Sequence, residues 1–362
     1  MKIAILGTRG IPNNYGGFEQ FAEIFAVYLA KQNHEVYVYN THDHVFKEKM
    51  FQCVHIIHKY NPEHKIGTAG QFIYDLNCIL DTKKRKFDII LQLGYTSNSI
   101  WSFLLPKKSM IITNMDGMEW KRTKYSAKIQ RFLQFAEKRA VKSSDFLIAD
   151  SIGIQKYLKE KYNKESTYIA YGAAPFWNSN EELLLPYNLE KYTYDLLIAR
   201  FEPENNLEMI LDGVAISKND RPIVVVGNSN NSFGNYLKQK FKDNPRIRFI
   251  GGVYNKEHLD NLRFFSSLYF HGHSVGGTNP SLLEAMAAKA LIVAHRNEFN
   301  QAILKENAFY FSNAKEVQKL RETVHKSHHN QIVQDNFDTI IQEFNWNKIN
   351  ESYLTLFKKS LS

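Results

Sequence analysis

Short apolar runs and longer stretches with apolar residues three and four apart take turns along this chain. The first pattern is that of strands buried on both faces, and the second that of helices covering them. In the first half the runs predict strands at 3–6, 36–39, 89–93, 109–114, 146–149 and 166–170. Helices are predicted between them at 18–31, 70–81, 127–142 and 152–162. The pattern lapses from Tyr171 to Tyr192, where Gly172, Pro175, Pro186 and several Asn and Glu residues read as a linker. It restarts with strands at 194–199, 223–226, 247–250, 266–270 and 290–294 and helices at 206–216, 234–242 and 256–265. An amphipathic stretch at 345–361 closes the chain, with Trp346, Ile349, Tyr353, Leu354 and Phe357 on one side. Repeated strand–helix units imply an α/β chain of doubly wound parallel sheets, with ligands beyond the carboxyl ends of the strands.

The most informative loop follows the strand at 266–270. It runs His271-Gly-His-Ser-Val-Gly-Gly-Thr-Asn-Pro-Ser-Leu-Leu-Glu284, and breaks into a helix at Pro280, a residue suited to a first helical turn. The amides of Gly277, Thr278 and Asn279 then lie where a helix start collects unpaired N–H groups and partial positive charge, a natural anion site. Glu284 falls about one turn in, within reach of hydroxyls on the same ligand. A simple strand–loop–helix connection is the other reading.

Composition narrows the classes. With 362 residues the chain is long enough for two domains, and an apolar share of 44% suits a folded, water-soluble enzyme. No run approaches the roughly 18 apolar residues of a membrane span, and 1–7 leads straight into a strand rather than a signal-peptide core, so a cytoplasmic location is expected. Cys53 and Cys78 have no metal or redox spacing and are expected to be buried thiols. The net charge of +9 asks for an anionic partner. Its densest cluster is Lys121, Arg122, Lys124, Lys128, Arg131, Lys138, Arg139 and Lys142, interleaved with Tyr125, Ile129, Phe132, Leu133 and Phe135. This reads as an amphipathic basic helix, either lying on an anionic leaflet or simply solvated. No nucleic-acid-binding signature accompanies it.

Four more motifs sit at strand ends. Gly7-Thr-Arg-Gly-Ile-Pro-Asn-Asn-Tyr-Gly-Gly-Phe-Glu19 follows the first strand, with Arg9 either contacting a ligand or forming a salt bridge. Its glycine spacing is not that of a dinucleotide fingerprint, which argues against an oxidoreductase. Asn114-Met-Asp116-Gly117 offers a carboxylate at a strand end, with Glu119 nearby. Asp116 can orient and deprotonate a hydroxyl, or cap a helix. Arg200 to Asn206 follows the first strand of the second half, and Arg200 can hold a phosphate bidentately. Gly251-Gly252-Val253 follows the strand at 247–250. No Asp-x-Asp pair occurs in the sequence, so no metal and no other cofactor is expected.

The run from His271 to Glu284 resembles the donor-binding segment of family 4 glycosyltransferases, retaining enzymes of the GT-B fold. That resemblance implies two Rossmann-like domains facing a cleft, 1–173 on the acceptor side and 188–344 binding the nucleotide-sugar donor. It also implies a terminal helix, 345–362, crossing back onto the first domain. It places Glu284 on the donor ribose, while Gly276 stands where the family has a second Glu. Gly16 and Gly17 match the pair facing donor phosphates and acceptor, and Asp116 matches a catalytic-site position. Arg200 matches a diphosphate-binding Arg, Asn206 stands in place of the partner Lys, and main chain at Val253 reads the nucleobase.

The phrases 7–19 and 114–122 resemble a narrower group, rhamnosyltransferase-like enzymes of capsule, exopolysaccharide and O-antigen assembly. The implied reaction moves L-rhamnose from dTDP-rhamnose to a saccharide or undecaprenyl-linked saccharide at the inner membrane face. A UDP- or GDP-sugar donor, a nucleotide-sugar epimerase of the same fold, and a non-catalytic partner subunit are the alternatives.

Overall fold

The computed structural model describes residues 1–122 and 125–362. The chain forms two compact units. The first takes in Met1–Lys121, Tyr125–Tyr171 and Trp346–Ser362, and the second Gly172–Asn345, with which Arg122 clusters.

Unit 1 holds strands β1 (Lys2–Leu6), β2 (Glu35–Thr41), β3 (Met50–Phe51), β4 (Val54–Lys59), β5 (Ile89–Leu93), β6 (Met110–Asn114), β7 (Phe146–Ala149) and β8 (Thr167–Tyr168). They form one sheet in the order β3-β4-β2-β1-β5-β6-β7-β8, parallel except for β3. β1 pairs on both sides, Ile3 standing beside Val36 of β2 and Ile89 of β5. Ile3, Ile5, Ile89 and Leu91 are fully buried, as continuous apolar runs in a two-sided sheet must be. Helices α1 (Gly17–Lys31), α2 (Glu63–Ile66), α3 (Gly70–Arg85), α4 (Ala127–Ser143) and α5 (Ile152–Tyr162) connect the strands.

Unit 2 repeats the scheme with β9 (Asp195–Ile198), β10 (Ile223–Val226), β11 (Ile247–Gly251), β12 (Tyr269–His271), β13 (Ile292–His295) and β14 (Phe309–Phe311). The order is β11-β10-β9-β12-β13-β14, all parallel. Its helices are α6 (Leu207–Ile216), α7 (Ser232–Lys240), α8 (Lys256–Phe264), α9 (Pro280–Ala287), α10 (Glu298–Leu304), α11 (Ala314–Thr323) and α12 (Asn330–Thr339). A buried carboxylate at the start of the interior strand β9 ties this unit together: Arg321 and Arg221 both bond the fully buried Asp195, at 2.8 and 2.7 Å.

The last helix, α13 (Trp346–Leu361), belongs to unit 1. The ring of Tyr353 lies 4.6 Å from that of Phe21 and 5.0 Å from that of Phe25, while its hydroxyl accepts a 2.8 Å bond from the Asn114 amide at the end of β6. Most strands and helices fall within a residue or two of their predicted places. The strand expected at 166–170 shortens to β8, and that at 266–270 shifts to β12, because Ser266 still closes the end of α8, its hydroxyl and N–H both on the Arg263 carbonyl. β3, β4, β14 and helices α2 and α10 to α12 carry weaker patterns and were not anticipated. Cys78 is buried as expected, but Cys53 is exposed in the turn between β3 and β4, which corrects the expectation of two buried thiols.

Candidate functional site

In each sheet the chain reverses its winding at one strand. In unit 1 that strand is β1, between β2 and β5, and in unit 2 it is β9, between β10 and β12. Crevices open beyond the carboxyl ends of such strands. The loops there, 7–16 in unit 1 and 199–206 and 272–279 in unit 2, are those singled out by their chemistry.

In unit 2 the two loops are laced together. Gly272 passes so close to the other loop that an added Cβ would meet the Asn205 carbonyl oxygen at 2.1 Å. Ser274 donates its N–H and hydroxyl to the Glu204 carbonyl, at 3.2 and 2.7 Å. Asn206 adopts φ 51° and donates its side-chain amide to the carbonyls of Gly272 and Glu204, at 2.7 and 3.4 Å. Asn206, which stands in place of the diphosphate-binding Lys, therefore spends its amide donors on tying the loops. Arg200, by contrast, is exposed, and its guanidinium has no partner among the described residues. It lies close enough to His273 to help hold that imidazole's pKa down, to about 3, behind the larger effect of burial.

The α9 N-terminus has the expected form. Asn279 is its N-cap, with its side chain accepting from Ser281 N–H at 2.9 Å, and Pro280 fills the first turn. Among the described residues, the N–H groups of Gly277 and Asn279 have no protein acceptor, whereas Thr278 is buried and engaged. Gly276 has φ +127°, a conformation that L side chains rarely adopt, with open space around it. A glutamate at this position would be strained by the backbone, although space for its side chain is open.

Glu284 sits one turn into α9, as expected, but it is not a lone carboxylate. Its Oε2 accepts a 2.5 Å bond from Nη2 of Arg263, whose side chain is only 2% exposed and also bonds Asp260 at 3.0 Å. Glu284 itself keeps 20% side-chain exposure. Its second oxygen is left for a ligand among the described residues. A hydrogen bond to this carboxylate is charge-assisted, and the Arg263 pair fixes its direction.

Three residues of the site were not foreseen. Glu204 has a side chain 2% exposed, both carboxylate oxygens without a hydrogen bond, and Nη1 of Arg122 at 3.5 Å. His271 and His273 stack with ring centroids 4.5 Å apart, and both nitrogens of His271 and Nδ1 of His273 are buried without partners. Burial drives the pKa of His271 well below its usual value, and His273 and Arg263 add to this. Both histidines were part of the quoted run, and their alternation around Gly272 was the available signal.

Val253 lies half-buried in the β11–α8 loop, beside a cavity of about 320 Å³ that Val253 itself does not line. Asn228, Asn230, Lys238, Phe249, Gly252 and Tyr254 do. The polar run from Asn228 to Asn231 after an apolar strand marked the first two, while Lys238 and Phe249 carried no signal.

In unit 1, Gly16 is the N-cap of α1 and supplies no side-chain cap, and Gly17 opens the helix. Arg9 takes the structural alternative: its guanidinium bonds both oxygens of Glu63, at 2.6 and 3.3 Å, and lies 3.7 Å over the Tyr15 ring. Glu19, buried, accepts the Arg9 N–H at 2.8 Å. Asp116 is not a helix cap, because no helix starts beside it. It sits at φ 51° in the turn after β6, its N–H bonded to Asn114 Oδ1 at 2.9 Å. A non-glycine residue held there marks a site worth weighing for function. Glu119 lies in the short 3₁₀ turn Glu119–Lys121, and with Glu137 and Asp116 it adds to the effect of burial in raising the Tyr95 pKa.

Among the described residues no group of His, Cys, Asp and Glu is arranged to hold a metal ion, and no helix is long and apolar enough to cross a membrane.

Comparison with known proteins agrees with this geometry. Residues 186–344 match the model described as Glycosyl transferases group 1, and residues 1–174 match a Domain of unknown function (DUF1972). No curated protein matches the sequence. Sucrose-phosphate synthase from Thermosynechococcus elongatus superposes with a TM-score of 0.78 at 14% identity, over 99% of this chain and 98% of that one. HepE of Anabaena, in complex with UDP and glucose, gives 0.77 at 15% identity, over 98% of each chain. A glycosyltransferase from Rickettsia africae gives 0.74 at 16% identity, over 100% and 99%.

The fold is GT-B. These likenesses show the fold, and the group 1 match makes the second half, residues 186–344, similar to glycosyltransferases. In a GT-B chain the group 1 segment spans the laced loops, α9 and the cavity, while the 1–174 match spans Arg9, Gly16 and Asp116.

Proposed function

We propose that this chain is a retaining, family 4-like hexosyltransferase that moves a sugar from a nucleotide-sugar donor to a saccharide or lipid-linked saccharide. L-rhamnose from dTDP-rhamnose, in surface-polysaccharide assembly, is the preferred donor, on the strength of the phrases 7–19 and 114–122. The observation that carries the reading is the anchored Glu284 one turn behind the free amides of Gly277 and Asn279, inside the group 1 segment.

In this reading Glu284 Oε1 accepts a ribose hydroxyl, and the amides of Gly277 and Asn279 and Arg200 hold the diphosphate. The cavity beside Val253 takes the base. The bond between the anomeric carbon and the diphosphate oxygen breaks, and the electron pair leaves with the nucleoside diphosphate. The acceptor hydroxyl oxygen attacks from the same face and its proton passes to Asp116. Arg200 stabilises the departing charge, an electrostatic role of the oxyanion-hole kind. Arg122, held by Glu204, supplies the second cation that Asn206 does not. No metal is called on.

A UDP-sugar donor is the second reading, favoured by the complexes of HepE with UDP and UDP-glucose. The test is incubation with dTDP-rhamnose, UDP-glucose and GDP-mannose, each with and without a saccharide acceptor. Acceptor-dependent release of nucleoside diphosphate supports transfer. Isomerised sugar without acceptor, or no turnover of any donor, overturns it.

A further inference from the structure

The outer face of α4 and the turn beside it form a surface unrelated to the donor site. Glu137 is the only acidic residue of α4, and it points inward, where it accepts from Tyr157 at 2.7 Å, Lys161 at 3.0 Å and Tyr162 at 2.5 Å. The buried stripe of the helix is Leu133, Ala136, Glu137, Ala140 and Val141. The opposite side carries Lys128, Arg131, Lys138 and Lys142, all exposed, with no carboxylate among them. The sequence cluster also included Lys124, which lies outside the described residues. Lys121 and Arg122 precede the helix instead of extending it, so the basic helix starts at Ala127.

Beside this basic stripe runs an apolar one at three-residue spacing: Ile129, Phe132 and Phe135 are 45%, 36% and 54% exposed. It continues off the helix. The Phe132 ring lies 5.7 Å from that of Phe72, the Trp101 indole N–H donates to the Phe72 carbonyl at 2.9 Å, and the Trp101 ring lies 6.5 Å from that of Phe103. Phe103, in the 3₁₀ turn Ser99–Leu104, is 68% exposed and is followed by exposed Lys107 and Lys108. The Arg139 guanidinium bonds the Ser102 hydroxyl at 3.1 Å, fixing the turn to the helix.

A folded chain does not normally leave a continuous ridge of aromatic rings in water. Here that ridge is bordered by six exposed cations, and the outer face of α4 carries no carboxylate. Rings that enter the acyl boundary and amines that reach phosphates are what an anionic bilayer surface selects. A basic face for nucleic acid has no need of phenylalanines that lack a polar handle, and a second copy of this chain would set cation against cation.

We infer that α4 and the 3₁₀ turn Ser99–Leu104 dock unit 1 on an anionic lipid leaflet, with Phe103, Phe132 and Phe135 inserted and the lysines on lipid phosphates. The surface stands whatever sugar the chain transfers. Each basic residue near such a surface contributes about 1 kcal/mol, about fivefold in partitioning.

The test is co-sedimentation of the full chain with vesicles of phosphatidylcholine alone or mixed with phosphatidylglycerol. The wild-type chain is expected to bind only the anionic vesicles and to be released as salt rises toward about 1 M, where the screening length falls to about 3 Å. Lys128→Gln with Arg131→Gln and Lys138→Gln should weaken binding by about two orders of magnitude. Phe103→Ser with Phe135→Ser should weaken it at every salt concentration. Both sets should melt like wild type, since none of these side chains packs in the core. Equal partition of wild type and both variants overturns the inference, as does tighter binding to a DNA duplex than to the vesicles, or dimerisation lost in the aromatic variant without any lipid binding.

Discussion

Replacing Glu284 by alanine should show two separable losses. The first is structural. Arg263 is almost wholly buried and balanced by two carboxylates, Glu284 at 2.5 Å and Asp260 at 3.0 Å. Removing one partner of a fully buried pair costs about 3–5 kcal/mol. Here Asp260 remains and Glu284 is partly exposed, so the expected cost is about 1–3 kcal/mol. For a unit of this size that is a fall in melting temperature of about 2–12 °C. The second loss is the ribose contact: a hydroxyl bonded to a charged acceptor contributes about 1.5–3 kcal/mol, or roughly a 10- to 150-fold rise in Kd. Glu284→Gln keeps the shape and an acceptor, so it should lie between wild type and Ala on both scales. Melting without ligand and calorimetric titration with donor nucleotide read the two terms apart. A variant that melts early yet binds donor normally would refute the ribose role. One that melts like wild type would refute the claim that Glu284 balances Arg263.

Asp116→Asn should fold and bind donor normally while transfer falls by about 10²–10⁴-fold, the range for a positioned acid–base group. Asparagine tolerates the φ 51° turn as well as aspartate does, so near-normal transfer would return Asp116 to a turn role. Gly276→Glu restores the family residue but forces a side chain onto φ +127°. It should lower stability by about 1–3 kcal/mol without raising transfer, and an unchanged melting temperature contradicts the strain argument. His271 and His273 are held neutral in the fold, whereas the unfolded chain takes up their protons near pH 6.5. Stability should therefore fall as pH drops below about 6.5, by up to about 1.4 kcal/mol per pH unit for each, with His273 titrating at about 3. Urea melts from pH 7 to pH 4 should show a shallower slope in His273→Asn, and an identical slope would sink the assignment.

The alternation that defines both sheets was legible because two-sided strands leave few polar positions, as Ile3 to Leu6 shows. β4 was missed because its apolar residues are broken by His55 and His58, and β14 because Phe309–Phe311 is too short to show a period. The donor helix was legible in Asn279 and Pro280, whose preferences act locally. The fate of Asn206 was not, since its partner Gly272 is 66 residues away. The same holds for the Glu284–Arg263 pair and for Arg9, whose partner Glu63 opens α2: ion pairs across elements leave no periodic trace. Glu204 stands in a polar loop in the sequence, and only the fold buries it.

The measurement that bears most directly on the nucleotide-sugar reading is a thermal-shift series of the full chain with dTDP, UDP and GDP and their sugars. A ligand at about 100 times its Kd adds about 2.7 kcal/mol, which for one unit is a rise of about 5–11 °C. The expected result is such a rise with dTDP and dTDP-rhamnose, reduced in Glu284→Ala and in Arg200→Ala. A folded chain that shifts with none of these ligands would contradict the account.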